Sequence, residues 1–206
     1  MSLDYNHNGS LFAVSGHSKK VLIYDEDMKS LLYEMKESNG HPGHVNRVFS
    51  LCFHKKHTNL LVSGGWDSTV QFYDVSQGKV VNSILGPQVV GDSLDLKDNL
   101  LLAGSGSNKD QIHLYDIRTF KLLETIQLDV KESYAYAAKF SKNKHNLFAV
   151  GGSNEDLYRI YDEDNKYNLV AKSKQLKSPC YSVDFSHNGN LFAYGCGDGI
   201  VRVLSL

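Results

Sequence analysis

Residues 43–74 read GHVNRVFSLCFHKKHTNLLVSGGWDSTVQFYD, and the rest of the chain repeats the pattern of this stretch. The run VFSLCF alternates, which predicts a strand with Phe49, Leu51 and Phe53 on one face. LLVSG is a short apolar run closed by glycines, and VQFYD alternates again. The stretch therefore predicts three short strands separated by turns.

Four polar residues stand at unusual places for a simple strand meander. His44 precedes the first strand, Ser63 ends the second, Asp67 lies in the tight turn and Tyr73 lies in the third strand. If the strands pair side by side, these side chains can form one chain of hydrogen bonds. Such a network fixes a single arrangement when every member is paired.

At these residues the stretch resembles the WD-repeat β-propeller family. The family's Gly-His pair matches Gly43-His44, its strand serine matches Ser63, and its turn aspartate matches Asp67. Tyr73-Asp74 stands where the family has Trp-Asp. The resemblance implies a β-propeller whose relatives are mostly non-catalytic scaffolds. Those scaffolds hold proteins or peptides, commonly on the top face.

The same unit recurs along the chain, at spacings of 42–49 residues between the aromatic positions. VLIYD ends at Asp25, VQFYD at Asp74, IHLYD at Asp116 and YRIYD at Asp162, and VRVLS is a degenerate fifth copy. This period, with four short strands in each unit, is typical of propellers. HNGSLFAV from His7 also recurs as HNGNLFAY from His187, and Asn-Gly predicts a hairpin turn with positive φ at both central residues.

We therefore predict an all-β protein, a β-propeller of five WD-type repeats forming one domain over residues 1–206. Four blades have four strands and the last has three; the expected ranges are about 1–38, 43–86, 87–128, 131–173 and 176–206. Blade 1 already uses the N-terminus as its innermost strand. We expect an open arc, a ring with an incomplete last blade, or part of a longer propeller. Blade 5 ends after three strands, so we expect VRVLSL to be left as an open edge, and an unpaired edge invites strand addition.

Composition narrows the class of protein. The formal net charge is −1, from 22 basic and 23 acidic residues, which gives no case for direct binding to nucleic acid or an anionic membrane. Cys52, Cys180 and Cys196 are odd in number and unclustered, which favours free thiols in a reducing compartment. The sequence shows neither a bilayer-spanning apolar run nor a signal peptide. We expect an intracellular, cytoplasmic protein, with nuclear and cytoskeletal assemblies left open.

Residues that could carry chemistry favour structural roles. His44, Ser63 and Asp67 resemble a hydrolase triad, but a buried network is the preferred interpretation. His54 and His57 have metal-ligand spacing without a third ligand nearby, so no metal site, cofactor or enzymatic activity is predicted. The turn aspartates expected to act as Asp67 does in blades 3, 4 and 5 are Asp110, Asp156 and Asp198.

Counting by register from blade 2 gives the residues expected on the top rim to bind a partner protein or peptide. They are Arg47, Phe49 and Trp66 in blade 2, Asp92 in blade 3, Tyr134 and Tyr136 in blade 4, and Tyr181 in blade 5. Trp, Tyr and Arg dominate measured binding energies. The alternative for the aromatics is packing between blades. The alternative function is an enzyme, or a receptor for a small ligand or peptide tail, that uses the central channel.

Overall fold

The computed structural model describes residues 2–35, 37, 40–129, 132–143, 145–154, 158–173 and 178–206. Within these ranges the chain forms nineteen strands in five antiparallel sheets and contains no α-helix. Accordingly, this part of the chain has no helix with the length and apolar character needed to cross a bilayer. The predicted all-β architecture of five units, four with four strands and one with three, is confirmed.

Each sheet is one blade of an open, propeller-like arc. Blade 1 contains β1 (Ser2–Tyr5), β2 (Leu11–Ser15), β3 (Val21–Asp25) and β4 (Leu31–Met35). Blade 2 contains β5 (Val48–Phe53), β6 (Leu60–Gly65), β7 (Thr69–Asp74) and β8 (Lys79–Leu85). Blade 3 contains β9 (Leu94–Lys97), β10 (Leu100–Gly104), β11 (Ile112–Asp116) and β12 (Lys121–Ile126). Blade 4 contains β13 (Ala135–Phe140), β14 (Leu147–Gly152), β15 (Tyr158–Asp162) and β16 (Asn168–Lys172), and blade 5 contains β17 (Cys180–Phe185), β18 (Leu191–Cys196) and β19 (Val201–Ser205).

The core lies between the sheets and is built from the facing sides of neighbouring blades. Val62 and Phe72 of blade 2, for example, pack with Leu94, Leu101 and Tyr115 of blade 3, and all five are buried. The first strands of successive blades also contact one another along the inside of the arc. Because one sheet cannot bury both of its faces alone, the stability of each blade depends on its neighbours.

Side chains on the first strands hold neighbouring blades in register. The Ser2 hydroxyl accepts the Leu51 amide at 3.1 Å, and the Asp4 carboxylate accepts the Phe53 amide at 2.7 Å. These bonds satisfy amides of a strand that has no sheet partner on its inner side. The same contact recurs at the next two seams, from the Leu94 amide to Ser50 at 3.2 Å and from the Phe140 amide to Asp95 at 2.8 Å.

The first strands of blades 2, 4 and 5 each contain a β-bulge, at Phe49, Tyr136 and Tyr181. The bulge turns Phe49 toward blade 3, while Leu51 and Phe53 pack toward blade 1. The expectation that these three side chains share one face is therefore wrong. An extra residue in one strand reverses the alternation on one side of the insertion.

The Asn-Gly sequences at 8–9 and 188–189 form hairpins, but not with the predicted turn. Gly9 has φ of 74° and Gly189 has φ of 70°, whereas neither preceding asparagine has positive φ. The Gly9 amide donates to the Asn6 carbonyl at 3.0 Å, and the Gly189 amide repeats this bond with Ser186 at 2.8 Å. Because the loops are longer than two residues, the turn closes with a single left-handed glycine.

Candidate functional site

The N-terminal ends of the first strands and the turns between the second and third strands lie on one edge of the arc. We call this edge the top rim. It follows from the repeat, because every blade has the same strand order and direction. Six of the seven residues predicted to bind a partner form two clusters of side chains there, and Asp92 stands apart.

The blade 2 cluster consists of Arg47, Phe49 and Trp66. The rings of Phe49 and Trp66 meet edge to face, with centroids 5.8 Å apart and planes at 79°. The Arg47 guanidinium lies 5.9 Å from the Trp66 ring centroid, and the Trp66 amide donates to the Arg47 carbonyl at 2.9 Å. Trp66 is 42% exposed. A large ring is thus held on two sides and open on the third.

The blade 4–5 cluster consists of Tyr134, Tyr136 and Tyr181. Ring centroids are 6.2 Å apart for Tyr134 and Tyr136, and 5.1 Å apart for Tyr136 and Tyr181. Tyr136 is half-buried, whereas Tyr134 is 38% and Tyr181 is 52% exposed. Tyr136 therefore supports the other two rings across the boundary between the blades.

Asp92 belongs to neither cluster and lines the central cavity, the space bounded by the first strands. Its carboxylate pairs with Lys139 at 3.0 Å and accepts the Ser50 hydroxyl at 3.1 Å. The adjacent Gly91 approaches the Tyr136 carbonyl so closely that a Cβ there would collide with it. Asp92 is thus part of the seams that join blades 2, 3 and 4, although its side chain is exposed.

Below the blade 2 cluster, four polar side chains form one hydrogen-bonded chain. His44 Nδ1 lies 2.8 Å from Asp67 Oδ2, and His44 Nε2 lies 2.7 Å from Ser63 Oγ. Ser63 Oγ lies 3.0 Å from the Tyr73 hydroxyl. Thr69, which the sequence did not single out, donates from its hydroxyl and its amide to Asp67 at 2.8 and 3.1 Å. The side chains of His44 and Asp67 are each only 1% exposed.

The electrostatics of this network match a structural role. Burial raises the pKa of Asp67, but hydrogen bonds from His44, Thr69 and the Val45 amide outweigh it and lower the pKa to about 2. Burial also raises the pKa of the Tyr73 hydroxyl. Ser63 is fully buried, with its oxygen bonded on both sides, so a substrate carbonyl has no path to it. The network instead fixes the turn that presents Trp66.

In blade 3 the turn aspartate does not form such a network. Asp110 is exposed and has φ of 52°. Seven residues separate Gly104 from the paired Ile112, against five between Gly64 and Val70 in blade 2. Asp67 lies three residues from both Gly64 and Val70, whereas Asp110 lies six residues after Gly104 and two before Ile112, so Asp110 does not occupy the predicted equivalent position.

In blade 5 the turn aspartate occupies the equivalent position but has a different partner. Asp198 accepts the Ile200 amide at 3.0 Å, as Asp67 does from Thr69. Its second partner is the Arg202 guanidinium, at 2.7 Å, which lowers the pKa of Asp198. An exposed ion pair thus replaces the predicted buried network. Asp156 of blade 4 lies outside the described residues.

Sequence reasoning missed the charged lining of the central cavity. The first strands line a cavity of about 580 Å³. Asp95 is nearly fully buried there and pairs with Lys142 at 2.6 Å. A serine two residues before an aspartate, at the same place in three first strands, is the signal that could have revealed it. The charged lining residues are Asp4, Asp92, Asp95, Asp184, Lys55, Lys139 and Lys142.

Of the two histidines considered as metal ligands, the buried His54 has a structural role. His54 Nε2 lies 2.6 Å from the Asp98 carbonyl oxygen, and Nδ1 accepts the Lys56 and His57 amides at 3.0 and 2.9 Å. Both ring nitrogens are thus engaged. Within the ranges that the structure describes, no group of three or more His, Cys, Asp or Glu residues has metal-binding geometry.

Known proteins share both the sequence pattern and the fold. The family model for the WD domain, G-beta repeat, matches residues 35–74 and 171–205. The chain is 25% identical over 178 residues to the small ribosomal subunit protein RACK1 of Drosophila melanogaster, covering 84% of this chain and 55% of that protein. It is 26% identical over 199 residues to the transcriptional corepressor LEUNIG_HOMOLOG of Arabidopsis thaliana, covering 95% of this chain and 23% of that protein.

A solved structure shows the same fold. The computationally designed Ika8 protein superimposes with a TM-score of 0.76 at 22% identity, over 99% of this chain and 57% of that one. The chain thus spans about half the length of Ika8 and of the fly relative. The two matched repeats overlap blades 2 and 5, and the intervening sheets repeat the same plan, so the similarity to WD-repeat β-propeller proteins extends along the described chain.

Proposed function

We propose that this chain is a non-catalytic scaffold for protein–protein interactions, a subunit of a larger intracellular assembly, and that its top rim binds the partner. The WD-repeat relatives support a general role in protein interaction; one is named a ribosomal subunit protein and another a transcriptional corepressor. The formal net charge of −1 gives no case for direct binding to nucleic acid. The partner expected on chemical grounds is a protein or peptide.

One observation supports the rim above all: two clusters of aromatic side chains are exposed on the same edge and already ordered. Trp66 is held by Phe49 and Arg47, and Tyr181 is held by Tyr136. Rings fixed before binding lose little conformational entropy when a partner docks. Aromatic and arginine side chains are also the residue types that most often dominate binding energy.

The interpretation of these rings as blade packing fits only part of each cluster. Tyr136 bridges blades 4 and 5 and is half-buried, so it serves packing. Trp66 and Tyr181 leave about half of their surface in water. A ring needed only to join blades would bury that surface, because apolar area in water gains nothing for the fold.

The direct test compares Trp66→Ala and Tyr134→Ala with the unaltered protein in affinity for an identified partner and in melting temperature. Each truncation should weaken binding by about 1–3 kcal/mol if the ring is a hot spot, with little change in melting temperature. Full affinity in both variants would exclude the top rim as the binding surface and leave blade 5 as the leading candidate. Much earlier melting of both would show that these rings pack the blades.

The outer face of blade 5, on the side away from blade 4, is a second candidate binding surface. Val201 and Val203 of β19 are 71% and 58% exposed, whereas Val70 and Phe72, at the same register in blade 2, are fully buried by blade 3. At the edge of the same sheet, β19 pairs only with β18 among the described strands. Strand addition at this edge was expected from the sequence.

The first strand of blade 5 shows which occupant this face fits. Ser182 and Asp184 occupy the register of Ser2 and Asp4, which accept two amides from the next blade. Both are exposed in blade 5. We propose that this face receives a further WD-type blade whose first strand donates two alternate amides to Ser182 and Asp184. Apolar packing on Val201 and Val203 would supply most of the binding energy.

Charge placed on this face tests the second surface. Val201→Asp combined with Val203→Asp should abolish association with a blade-bearing partner or a second copy, measured by light scattering over a concentration series. Leu123→Asp, at an exposed position of β12, is the matched control. Equal association of both variants with the partner would exclude the face. The central cavity is a weaker candidate, since Asp92 and Asp95 are already ion-paired.

A further inference from the structure

Two cysteines of adjacent strands face each other in blade 5. Cys180 is the first residue of β17 and Cys196 is the last residue of β18, and the antiparallel register places them directly opposite each other. Neither is in a disulfide; Cys180 is buried and Cys196 is half-buried. The expectation from sequence that the cysteines are unclustered is therefore corrected for this pair.

The pair has the backbone geometry of a cross-strand disulfide. The Gly197 amide donates to the Pro179 carbonyl at 2.9 Å, so the flanking 179–197 pair takes the hydrogen-bonded position. Cys180 and Cys196 then form a non-hydrogen-bonded pair, for which Cα atoms lie about 4.5 Å apart. That separation is within the range that disulfides span. Side chains of directly opposed residues also project from the same face of the sheet.

The two thiols already interact with each other. Burial raises the pKa of Cys180 to about 12, and the neighbouring Cys196 adds to the increase through its charge and a hydrogen bond between the side chains. Cys180 therefore remains a protonated thiol at neutral pH. Cys196 is the more exposed member and the one that a solute reaches first.

We propose that Cys180 and Cys196 form a thiol oxidation site, at which a peroxide or a low-molecular-weight disulfide links β17 to β18 beneath Tyr181. With a peroxide, the Cys196 thiolate attacks one oxygen and the O–O bond breaks, which gives a sulfenic acid and, with one proton, water. Cys180 sulfur then attacks the sulfenic sulfur. The S–O bond breaks, and the departing hydroxide takes the proton of Cys180 as a second water.

With a disulfide such as oxidised glutathione, the balance is equally simple. The Cys196 thiolate attacks one glutathione sulfur and releases the other as a thiolate. Cys180 then attacks the mixed disulfide and releases the second glutathione. Two protein thiols are oxidised and one glutathione disulfide is reduced to two thiols.

The position of the pair ties it to the rim. Tyr181 is the bulged residue directly after Cys180. A Cβ on Gly197, directly after Cys196, would lie 3.1 Å from Cε2 of the Tyr181 ring. The disulfide would therefore fix both strands on either side of this ring. The oxidation site itself does not depend on whether the rim binds a partner.

Cys52 provides the internal comparison. It is buried, burial raises its pKa, and its register partner on β6 is Val62 rather than a cysteine. Cys52 Sγ contacts the Phe53 carbonyl oxygen and the Asp95 carboxylate, each at 3.7 Å. It should stay a thiol under conditions that oxidise the other two.

The experiment treats the folded protein with hydrogen peroxide or oxidised glutathione, blocks remaining thiols, and digests it with a protease that cuts before aspartate. Cleavage at Asp184 separates the two cysteines, so a linked peptide pair reports the disulfide directly. We expect that linked pair in the unaltered protein and in Cys52→Ser. Cys196→Ser should give no link, and Cys180→Ser should accumulate glutathione on Cys196.

Several results would overturn the proposal. These are a stable glutathione adduct or a sulfinic acid on Cys196 of the unaltered protein, no modification of either cysteine, or linkage involving Cys52. Unfolding by denaturant gives a second measurement on the same samples. Oxidation should raise the midpoint of the unaltered protein and leave that of Cys196→Ser unchanged, because the link constrains the unfolded chain.

Discussion

The rings of Tyr136 and Tyr181 pack with centroids 5.1 Å apart, although they belong to different blades. Each is the bulged residue of its first strand, so the same backbone irregularity brings both to the rim. The contact couples the cohesion of blades 4 and 5 to the shape of the surface that we propose binds a partner.

A double-mutant cycle with Tyr136→Ala and Tyr181→Ala measures that coupling. The two substitutions should show an interaction energy of about 0.5–1.5 kcal/mol in the free energy of unfolding, as expected for an aromatic pair beyond its buried area. The readout is denaturant unfolding of the four proteins in the cycle. Additive effects would show that the rings are neighbours without energetic contact.

Asp67→Ala should lower the free energy of unfolding by about 1–3 kcal/mol, because His44, Thr69 and the Val45 amide lose a buried partner. The effect depends on pH with a definite sign. The pKa of Asp67 falls from its ordinary 3.8 to about 2 on folding, so its stabilisation is present above the ordinary value and disappears as pH falls through the folded value. The difference in free energy of unfolding between wild type and variant should thus shrink as the pH falls from about 5 to about 2. A constant gap would contradict the account.

Val70 and Val201 provide a matched pair, the same residue at the same register with and without a neighbouring blade. Val70→Ala should cost about 2–3 kcal/mol, from two lost methyl groups and the cavity left behind. Val201→Ala should change the free energy of unfolding by no more than about 0.5 kcal/mol. Chemical denaturation of the two variants measures both losses of stability. Equal losses would mean that the outer face of blade 5 is covered in solution.

Asp95→Ala and Asp92→Ala separate structure from ligand binding in the cavity. Asp95 is buried and holds both Lys142 and the Phe140 amide, so its removal should cost about 2–4 kcal/mol. Asp92 forms a more exposed pair with Lys139, and its removal should cost about 0–1 kcal/mol. Thermal melts give the comparison. If Asp95→Ala leaves the melting temperature unchanged, Asp95 is not needed for stability, and the cavity becomes a candidate ligand site again.

The repeat made the fold predictable, because five units of similar length indicate the same strand plan independently. The network of His44, Ser63, Asp67 and Tyr73 was also readable, since each member sits at a fixed distance from a strand end. Phe49 shows the limit. A bulge leaves no mark in an alternating sequence, so the face of a residue next to it cannot be derived from period alone.

The pairing of residues between strands was the other feature that could not be predicted from the sequence. Asp110 was misplaced because the turn that contains it has two more residues than the equivalent turn of blade 2, and turn length cannot be inferred from composition. Cys180 and Cys196 looked unrelated because only the hairpin brings them together. Both errors concern which residue faces which, a property of tertiary packing rather than of local pattern.

The measurement that tests the scaffold most directly is quantitative capture of proteins from lysate by three immobilised forms: the unaltered chain, the double variant Trp66→Ala with Tyr181→Ala, and Met28→Ala. Met28 is more exposed than either rim residue but lies in the turn after β3, on the opposite edge. We predict that one set of proteins binds equally to the unaltered chain and to Met28→Ala, and that the captured amount of this set is at least about tenfold lower on the rim variant. The melting temperature of the rim variant should stay within about 2–4 °C of the other two, the shift expected when an aromatic contact worth about 1 kcal/mol is lost. Equal capture by the rim variant would contradict the account.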